Sequence, residues 1–254
     1  MILAVDIGNT NIVIGGFEKQ QILFCERFQT NHKATSLEYA AIFKITFEIH
    51  RLDKSQVQGA IISSVVPSIT HTVKEAVEKY AGARVLVVGP GIKTGIRIQA
   101  DNPAQLGSDL VVGAVAGAAY YPVPLILVDM GTATTVSVID ASRAFIGKLI
   151  LPGVGVSLDA LISRTSQLPK ISLEPPKKLI GTNTIDSIKG GILYGTAGAI
   201  DGLIDRIQEE LGAPCTVVAT GGLAKVITPL CRNSILLDEE LLLKGLMLLY
   251  ERNS

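Results

Sequence analysis

Residues 3–14 read LAVDIGNTNIVI, and residues 127–139 read LVDMGTATTVSVI. Each is an apolar run that ends in an acid, a turn containing glycine and hydroxyl residues, and a second run alternating away from it. Such a turn offers backbone N–H groups and hydroxyls to an anion, and Gly8 and Gly131 let the backbone come close to it. The acids in front, Asp6 and Asp129, would repel a bare phosphate. Two unit charges about 4 Å apart cost roughly 4 kcal/mol at an effective dielectric of about 20. An acid kept beside a phosphate loop therefore implies a cation between them. One Asp-x-Gly hairpin is ordinarily just a turn, because both residues favour turns. Two copies on apolar strands, each with hydroxyls following, describe facing loops around a metal-bound nucleoside triphosphate.

The chain of 254 residues has room for two domains of ordinary size, and the duplication divides it near residue 100, into 1–100 and 101–254. Hydrophobic residues make up 48% and charged residues 18%, which predicts well-filled cores. Formal net charge is zero, so the electrostatic footprint of a nucleic-acid binder is missing. Cys25, Cys215 and Cys231 are odd in number and lack CxxC spacing, and they read as reduced thiols. The N-terminus runs straight into a strand without a basic leader. The apolar stretch Leu110–Val128 contains Pro122, Pro124 and two tyrosines, and reads as a small-residue helix, a turn and a buried strand rather than a membrane span. A cytoplasmic protein with no membrane partner is expected.

Periodicity predicts strands at 2–6, 10–17 and 21–28, a helix at 36–50, a strand at 58–66, a helix at 68–80 started by Pro67-Ser68, and a strand at 84–88. The order then repeats. A helix at 103–120 leads to strands at 125–129, 134–140 and 144–151, a helical segment at 154–164 and a long helix at 186–211. On that helix Ile188, Ile192, Ile200, Leu203, Ile204, Ile207 and Leu211 form one stripe, with Leu193, Tyr194 and Ala199 on another face. A strand at 215–219, a short helix after Gly221-Gly222, a strand near 234–237 and a helix at 239–251 complete it, and 169–178 reads as a loop. Three strands in a meander followed by alternating helix and strand, twice over, require hairpins inside an otherwise parallel sheet. Each sheet is then mixed.

Three further segments bear on chemistry. Thr220-Gly221-Gly222 joins a strand to a helix, and its glycines allow a flat ligand such as adenine or ribose to lie on the backbone. In ADNPAQLGSDL (100–110), Asn102 is a good N-cap and Pro103 a good first helical residue, which places Asp109 two turns into the helix. A carboxylate there suits the group that accepts a hydroxyl proton during phosphoryl transfer. His32, His50 and His71 lack metal-ligand spacing and read as surface residues. Gly89-Pro90-Gly91 reads as a turn, and Ser63-Ser64 lacks the surroundings of a hydrolase nucleophile.

Taken together, DIGNTNIV (6–13), DNPxxxGxD (101–109), DMGTATT (129–135), Pro152-Gly153 and GTNTIDSIKGGILYG (181–195) resemble the type III pantothenate kinases. These belong to the actin, hexokinase and acetate kinase superfamily. The resemblance spans nearly the whole chain. It implies an α/β fold of two duplicated ribonuclease-H-like domains, each a mixed five-stranded sheet flanked by helices, with an interdomain ATP cleft. The implied reaction is ATP-dependent phosphorylation of the primary hydroxyl of pantothenate to 4'-phosphopantothenate, the first step of coenzyme A biosynthesis.

Carried over residue by residue, Asp6, Ile7, Gly8, Asn9, Thr10, Asn11, Ile12, Val13 and Thr132 are implied ATP contacts, with Asp6 near Mg²⁺, directly or through water. Asp109 is the implied general base. Ala100, Gly107, Ser108, Asp109, Leu110 and Thr184 are implied acceptor contacts. Asp129 is the implied ligand of a monovalent cation, K⁺ or NH₄⁺, and the assembly implied is a homodimer. Two positions depart from the family pattern: Ala100, where an aromatic residue is usual, and Leu110, where arginine is usual. Leucine cannot meet a carboxylate as arginine would, which leaves Arg97 or a partner-subunit donor for that task. A same-fold kinase with another hydroxyl acceptor, a phosphohydrolase and a non-catalytic regulatory member are the alternative readings.

Overall fold

The computed structural model describes residues 1–19, 21–164 and 171–254. Each duplicated phrase forms the central hairpin of its own five-stranded sheet. The chain divides into two units, residues 1–119 with 240–254, and residues 120–239.

In the first unit β1 (Ile2–Ile7), β2 (Asn11–Glu18) and β3 (Gln21–Gln29) form the meander, and β4 (Gly59–Ser64) and β5 (Val85–Val87) add parallel to β1, in the order β3-β2-β1-β4-β5. Alternation sorts the side chains by face. Leu3, Val5, Ile7, Ile12, Ile14 and Ile62 pack with Tyr39, Phe43 and Phe47 of α1 (Ser36–Ile49) and Ile69, Val73 and Val77 of α2 (Pro67–Ala81). Ala4, Phe17 and Ile61 pack on the other face with Val112 and Val115 of α3 (Ser108–Tyr120) and Leu243, Leu246 and Met247 of α7 (Leu241–Asn253). Helix limits follow local chemistry. Thr35 and Glu38 form a reciprocal capping box at the start of α1, while Pro67 starts α2 and Gly82, at φ 64°, ends it.

In the second unit β6 (Leu125–Met130), β7 (Ala133–Ile139) and β8 (Phe145–Pro152) repeat the meander, with β9 (Thr216–Thr220) and β10 (Leu236–Leu237) parallel to β6, in the order β10-β9-β6-β7-β8. The strand plan of the first sheet is thereby reproduced. Ile126, Val128, Val136 and Val217 pack against Leu193, Ala197, Ile200, Ile204 and Ile207 of α5 (Thr184–Leu211), joined by Val154 of α4 (Val154–Ser163) and Ala224 and Ile227 of α6 (Ala224–Ile227).

Several expectations need correction. The helix predicted from residue 103 begins at Ser108. Asn102 makes no side-chain cap, Pro103–Gln105 forms a separate 3₁₀ turn, and Asp109 lies in the first turn of α3 rather than two turns in. Compactness divides the chain after residues 119 and 239, not at 100, because α3 and α7 both bury their apolar sides on the first sheet. Leu193 belongs to the core stripe of α5, while Ile192, Leu203 and Leu211 flank it. His50 is half-buried, stacked on Phe24 with ring centroids 5.0 Å apart and with Nε2 2.9 Å from Glu26 Oε1. Pro169 and Lys170 of the predicted 169–178 loop lie outside the described residues.

The stretch Leu110–Val128 resolves into α3 and β6, and among the described residues no helix is long and apolar enough to cross a membrane. Cys215 and Cys231 are free thiols. Burial, reinforced by the Asp201 carboxylate, pushes Cys231 up to about 11.

Candidate active site

Within each unit the acid of the repeated phrase stands at the carboxyl end of a strand with parallel neighbours, where open α/β sheets ordinarily bind ligands. In the first unit Asp6 is in register with Val13 on β2 and Ser63 on β4. The following turn is closed by the Gly8 N–H, which donates to the Asn11 carbonyl at 3.0 Å. Thr30 steadies it from the neighbouring strand end, with Oγ1 donating to the Gly8 carbonyl at 2.7 Å and the backbone N–H to the Thr10 carbonyl at 2.9 Å. Asn9 and Thr10 stand exposed at the tip, whereas Ile7 and Ile12 are fully buried and can present only backbone to a ligand.

Asp109 is held at the same sheet end by its neighbour. Ser108 Oγ donates to the Ser64 carbonyl at 2.8 Å, receives the Ser64 N–H at 3.0 Å, and lies 3.1 Å from Ser63 Oγ. The hydroxyl of Ser108 is thus spent on anchoring the start of α3 to the end of β4, which adjoins β1 and Asp6. Ser63 and Ser64, set aside as nucleophiles, are the anchor's other half, and Thr70 Oγ1 completes it by donating to Ser64 Oγ at 2.7 Å. Asp109 is partly exposed and accepts the Leu110 N–H at 2.8 Å. Leu110 itself is only 9% exposed.

In the second unit three loops converge. Gly131 N–H closes its turn on the Ala133 carbonyl at 3.0 Å, and Gly153 N–H donates to the Thr132 carbonyl at 3.2 Å. Gly221, at φ 96°, comes so close that a Cβ there would stand 2.7 Å from Asp129 Oδ1 and from the Met130 backbone. Only glycine fits. The Thr-Gly-Gly segment, read from sequence as a ligand wall, lies close against the Asp129 carboxylate.

Asp129 is in register with Thr135 on β7 and Thr220 on β9, so three oxygen-bearing side chains share one row and one face. That donor set, all oxygen with a single carboxylate, fits a hard cation and is unsuited to a soft one. Thr135 closes the DMGTATT phrase and Thr220 opens the Thr-Gly-Gly segment, but residue order does not show that they flank Asp129; the strand order β9-β6-β7 is the signal that does. Among the described residues no three His, Cys, Asp or Glu side chains assemble a metal cage. Mg²⁺ is ordinarily held by one or two carboxylates together with phosphate oxygens rather than by such a cage.

Thr184 lies elsewhere in the second unit, as the first residue of α5. Asn183 caps that helix, accepting the Asp186 N–H at 2.9 Å. A cavity of about 620 Å³ opens here, lined by Leu161, Gly181 to Thr184, Ser187 and Ile188 among others. Its described lining includes none of the three loops around Asp129. The site residues read from sequence therefore form three groups: Asp6 to Val13 with Ser108 and Asp109, Asp129 with Thr132, and Thr184. Ala100 is partly buried in the irregular stretch between β5 and α3.

A family model described as type III pantothenate kinase matches residues 2–206. Over all 254 residues the chain is 43% identical to the type III pantothenate kinase of Bacillus cytotoxicus, covering 97% of that protein. The chain belongs to the type III pantothenate kinase family. A family member from an Exiguobacterium species is 42% identical over 253 residues, with 99% of it covered.

Among solved structures, the activator of 2-hydroxyisocaproyl-CoA dehydratase from Clostridium difficile aligns over 98% of this chain and 93% of its own, with TM-score 0.57 and 14% identity. Component A of (R)-2-hydroxyglutaryl-CoA dehydratase from Acidaminococcus fermentans aligns over 98% and 96%, with TM-score 0.56 and 15% identity. At such identities the likeness concerns the fold alone. Like the two mixed sheets, it is that of the actin and hexokinase type, which this type III family member shares.

Proposed function

We propose that this protein transfers the γ-phosphoryl group of ATP to the primary hydroxyl of pantothenate, giving 4'-phosphopantothenate and opening coenzyme A biosynthesis. The observation that carries the reading is the Ser108 anchor, which fixes Asp109 to the strand end beside β1 and its phosphate-type turn. The names borne by its relatives supply the acceptor.

In this reading the turn Gly8–Asn11 and Thr132 hold the triphosphate through backbone N–H groups and hydroxyls. Asp109 accepts the proton of the acceptor hydroxyl as the phosphoryl group leaves ATP. Asp6 holds Mg²⁺, and the row Thr135–Asp129–Thr220 holds K⁺ or NH₄⁺; these ions neutralise phosphate charge when bound. Because phosphoryl transfer proceeds through a loose transition state, positioning carries most of the rate. The Ser108 anchor and the close approach of Gly221 therefore contribute by holding two carboxylates still.

Ala100, Gly107 and Thr184 contact the acceptor in this proposal, Thr184 through its cavity. Ser108 takes part through its backbone and through Asp109, its hydroxyl being engaged within the unit. The buried Leu110 leaves the pantothenate carboxylate to another donor, Arg97 or a residue of a second copy. A homodimer is supported by the exposed apolar residues Ile150, Leu179, Ile180 and Ile185, of which Ile180 is 81% exposed. The free thiols of Cys215 and Cys231 support a cytoplasmic location.

The test is ADP release with ATP, Mg²⁺ and K⁺ against a panel of small alcohols. Release dependent on pantothenate is expected. Equal release without any acceptor would favour a phosphohydrolase, and preference for another alcohol would move the acceptor while keeping the kinase.

A further inference from the structure

Between β5 and α3 the chain runs some twenty residues with no α-helix; its regular structure is an isolated β-bridge at Ile98 and the 3₁₀ turn at Pro103–Gln105. It carries Ala100 and Gly107 and delivers Asp109. Ordering backbone costs about 1–2 kcal/mol per residue, so a stretch of this length keeps one path only if it is held at both ends. Its far end is held by Ser108. Its near end is held by Ile92 and Ile96, which pack against the core shared by the sheet, α3 and α7, and between them by the last turn of α7.

There Asn253 acts as a strand neighbour would. Lys93 N–H donates to Asn253 Oδ1 at 2.9 Å, and Asn253 Nδ2 donates to the Lys93 carbonyl at 3.1 Å and to the Leu249 carbonyl at 2.8 Å. Arg252 Nη1 donates to the Thr94 carbonyl. The next residue, Gly95, has φ 72°, and the Arg252 guanidinium lies where its Cβ would be, with Nε 3.0 Å from that point. A side chain at residue 95 would be strained and would displace the arginine. Beyond, once the Gln99 amide is assigned with its oxygen facing the guanidinium, that oxygen accepts from Arg97 Nη2 at 2.9 Å and Nε at 3.1 Å.

None of this is needed to hold α7. That helix is bound to the sheet through Leu243, Leu246, Met247 and Leu249, all nearly or fully buried. The clamp is polar and exposed, and exposed hydrogen bonds of this kind add little to global stability. What they fix is a path. Ala100 lies five residues past Gly95, within about 18 Å of chain at full extension.

We infer that Arg252 and Asn253 are positioning residues for acceptor binding, acting by fixing Lys93 to Gly95 and thereby the stretch that presents Ala100 and Gly107. This rests on the proposed acceptor role of that stretch. Freeing it makes the acceptor bear the ordering cost on binding, while Asp109, anchored separately by Ser108, keeps its place. The acceptor KM should therefore move and kcat should not.

The experiment compares wild type, Arg252→Ala/Asn253→Ala and Arg252→Lys by steady-state kinetics with ATP and pantothenate, by amide hydrogen exchange and by thermal melting. Expected for the double variant is a pantothenate KM raised about tenfold, equivalent to about 1.4 kcal/mol, with kcat, the ATP KM and the melting point nearly unchanged. Faster exchange confined to residues 92–100 should accompany it, and Arg252→Lys should recover most of the loss. Unchanged exchange there overturns the clamp. An unchanged pantothenate KM, or equal loss in both KM values with a lower melting point, overturns the positioning role. Wild-type protein that does not phosphorylate pantothenate overturns the kinase reading and the acceptor role with it, while the exchange data still decide the clamp.

Discussion

Replacing Gly221 by alanine tests how closely the second unit is built around Asp129. At φ 96° any side chain meets an unfavourable backbone region, which costs about 1–3 kcal/mol. The new Cβ would also stand 2.7 Å from Asp129 Oδ1 and from backbone atoms of Met130, and only the carboxylate could move aside. Overpacking of that kind costs about 1–3 kcal/mol more. The sum, roughly 2–6 kcal/mol, should lower the melting transition by roughly 5–20 °C for a chain of this size. Gly147→Ala, at a site where a Cβ would meet nothing within 4 Å, is the control and should change little. The assay is calorimetric melting together with turnover at saturating ATP, which should fall as the carboxylate is pushed out of its row. A Gly221→Ala protein melting within about 2 °C of wild type, with unchanged turnover, would refute the close approach and the bracing role.

Asp109→Asn should cut turnover by about 100-fold or more while nucleotide binding persists, a usual size for loss of a general base; near-normal turnover with an unchanged pH profile would remove that role. Asp129→Ala should abolish stimulation by K⁺ over Na⁺, which wild-type kinetics in both buffers would contradict. Thr134→Val should stabilise the protein by about 1 kcal/mol, because among the described residues the Thr134 hydroxyl is buried without a hydrogen-bond partner. A lower melting point in that variant would mean the hydroxyl is satisfied after all.

The two meanders and the helices between them were legible because alternation and apolar runs are local signals, and the repeated acid-turn phrase marked both strand ends. What escaped sequence reading depends on contacts distant along the chain. Asn102-Pro103 carries the chemistry of a helix start, yet α3 begins only where Ser108 finds Ser64, 44 residues away. The return of α7 to the first sheet leaves no trace in residue order, although Gly59 makes room for Tyr250. Leu193 reads from sequence as part of another face because a helix rich in glycine has no sharp apolar edge, and packing adds it, with Ala197, to the stripe that holds Ile200, Ile204 and Ile207. At the candidate site the acids were legible and their supports were not. Ser63, Ser64, Thr135, Thr220 and the approach of Gly221 to Asp129 follow from strand order, which places residues side by side that the sequence keeps apart.

The most direct test of the central claim is phosphorus NMR of the purified protein incubated with ATP, Mg²⁺, K⁺ and pantothenate, run beside Asp109→Asn. The account predicts a new phosphomonoester signal coupled to the primary methylene protons of pantothenate, growing as ATP is lost and nearly absent with the variant. Loss of ATP to inorganic phosphate alone, or the same ester formed at full rate by Asp109→Asn, would contradict it.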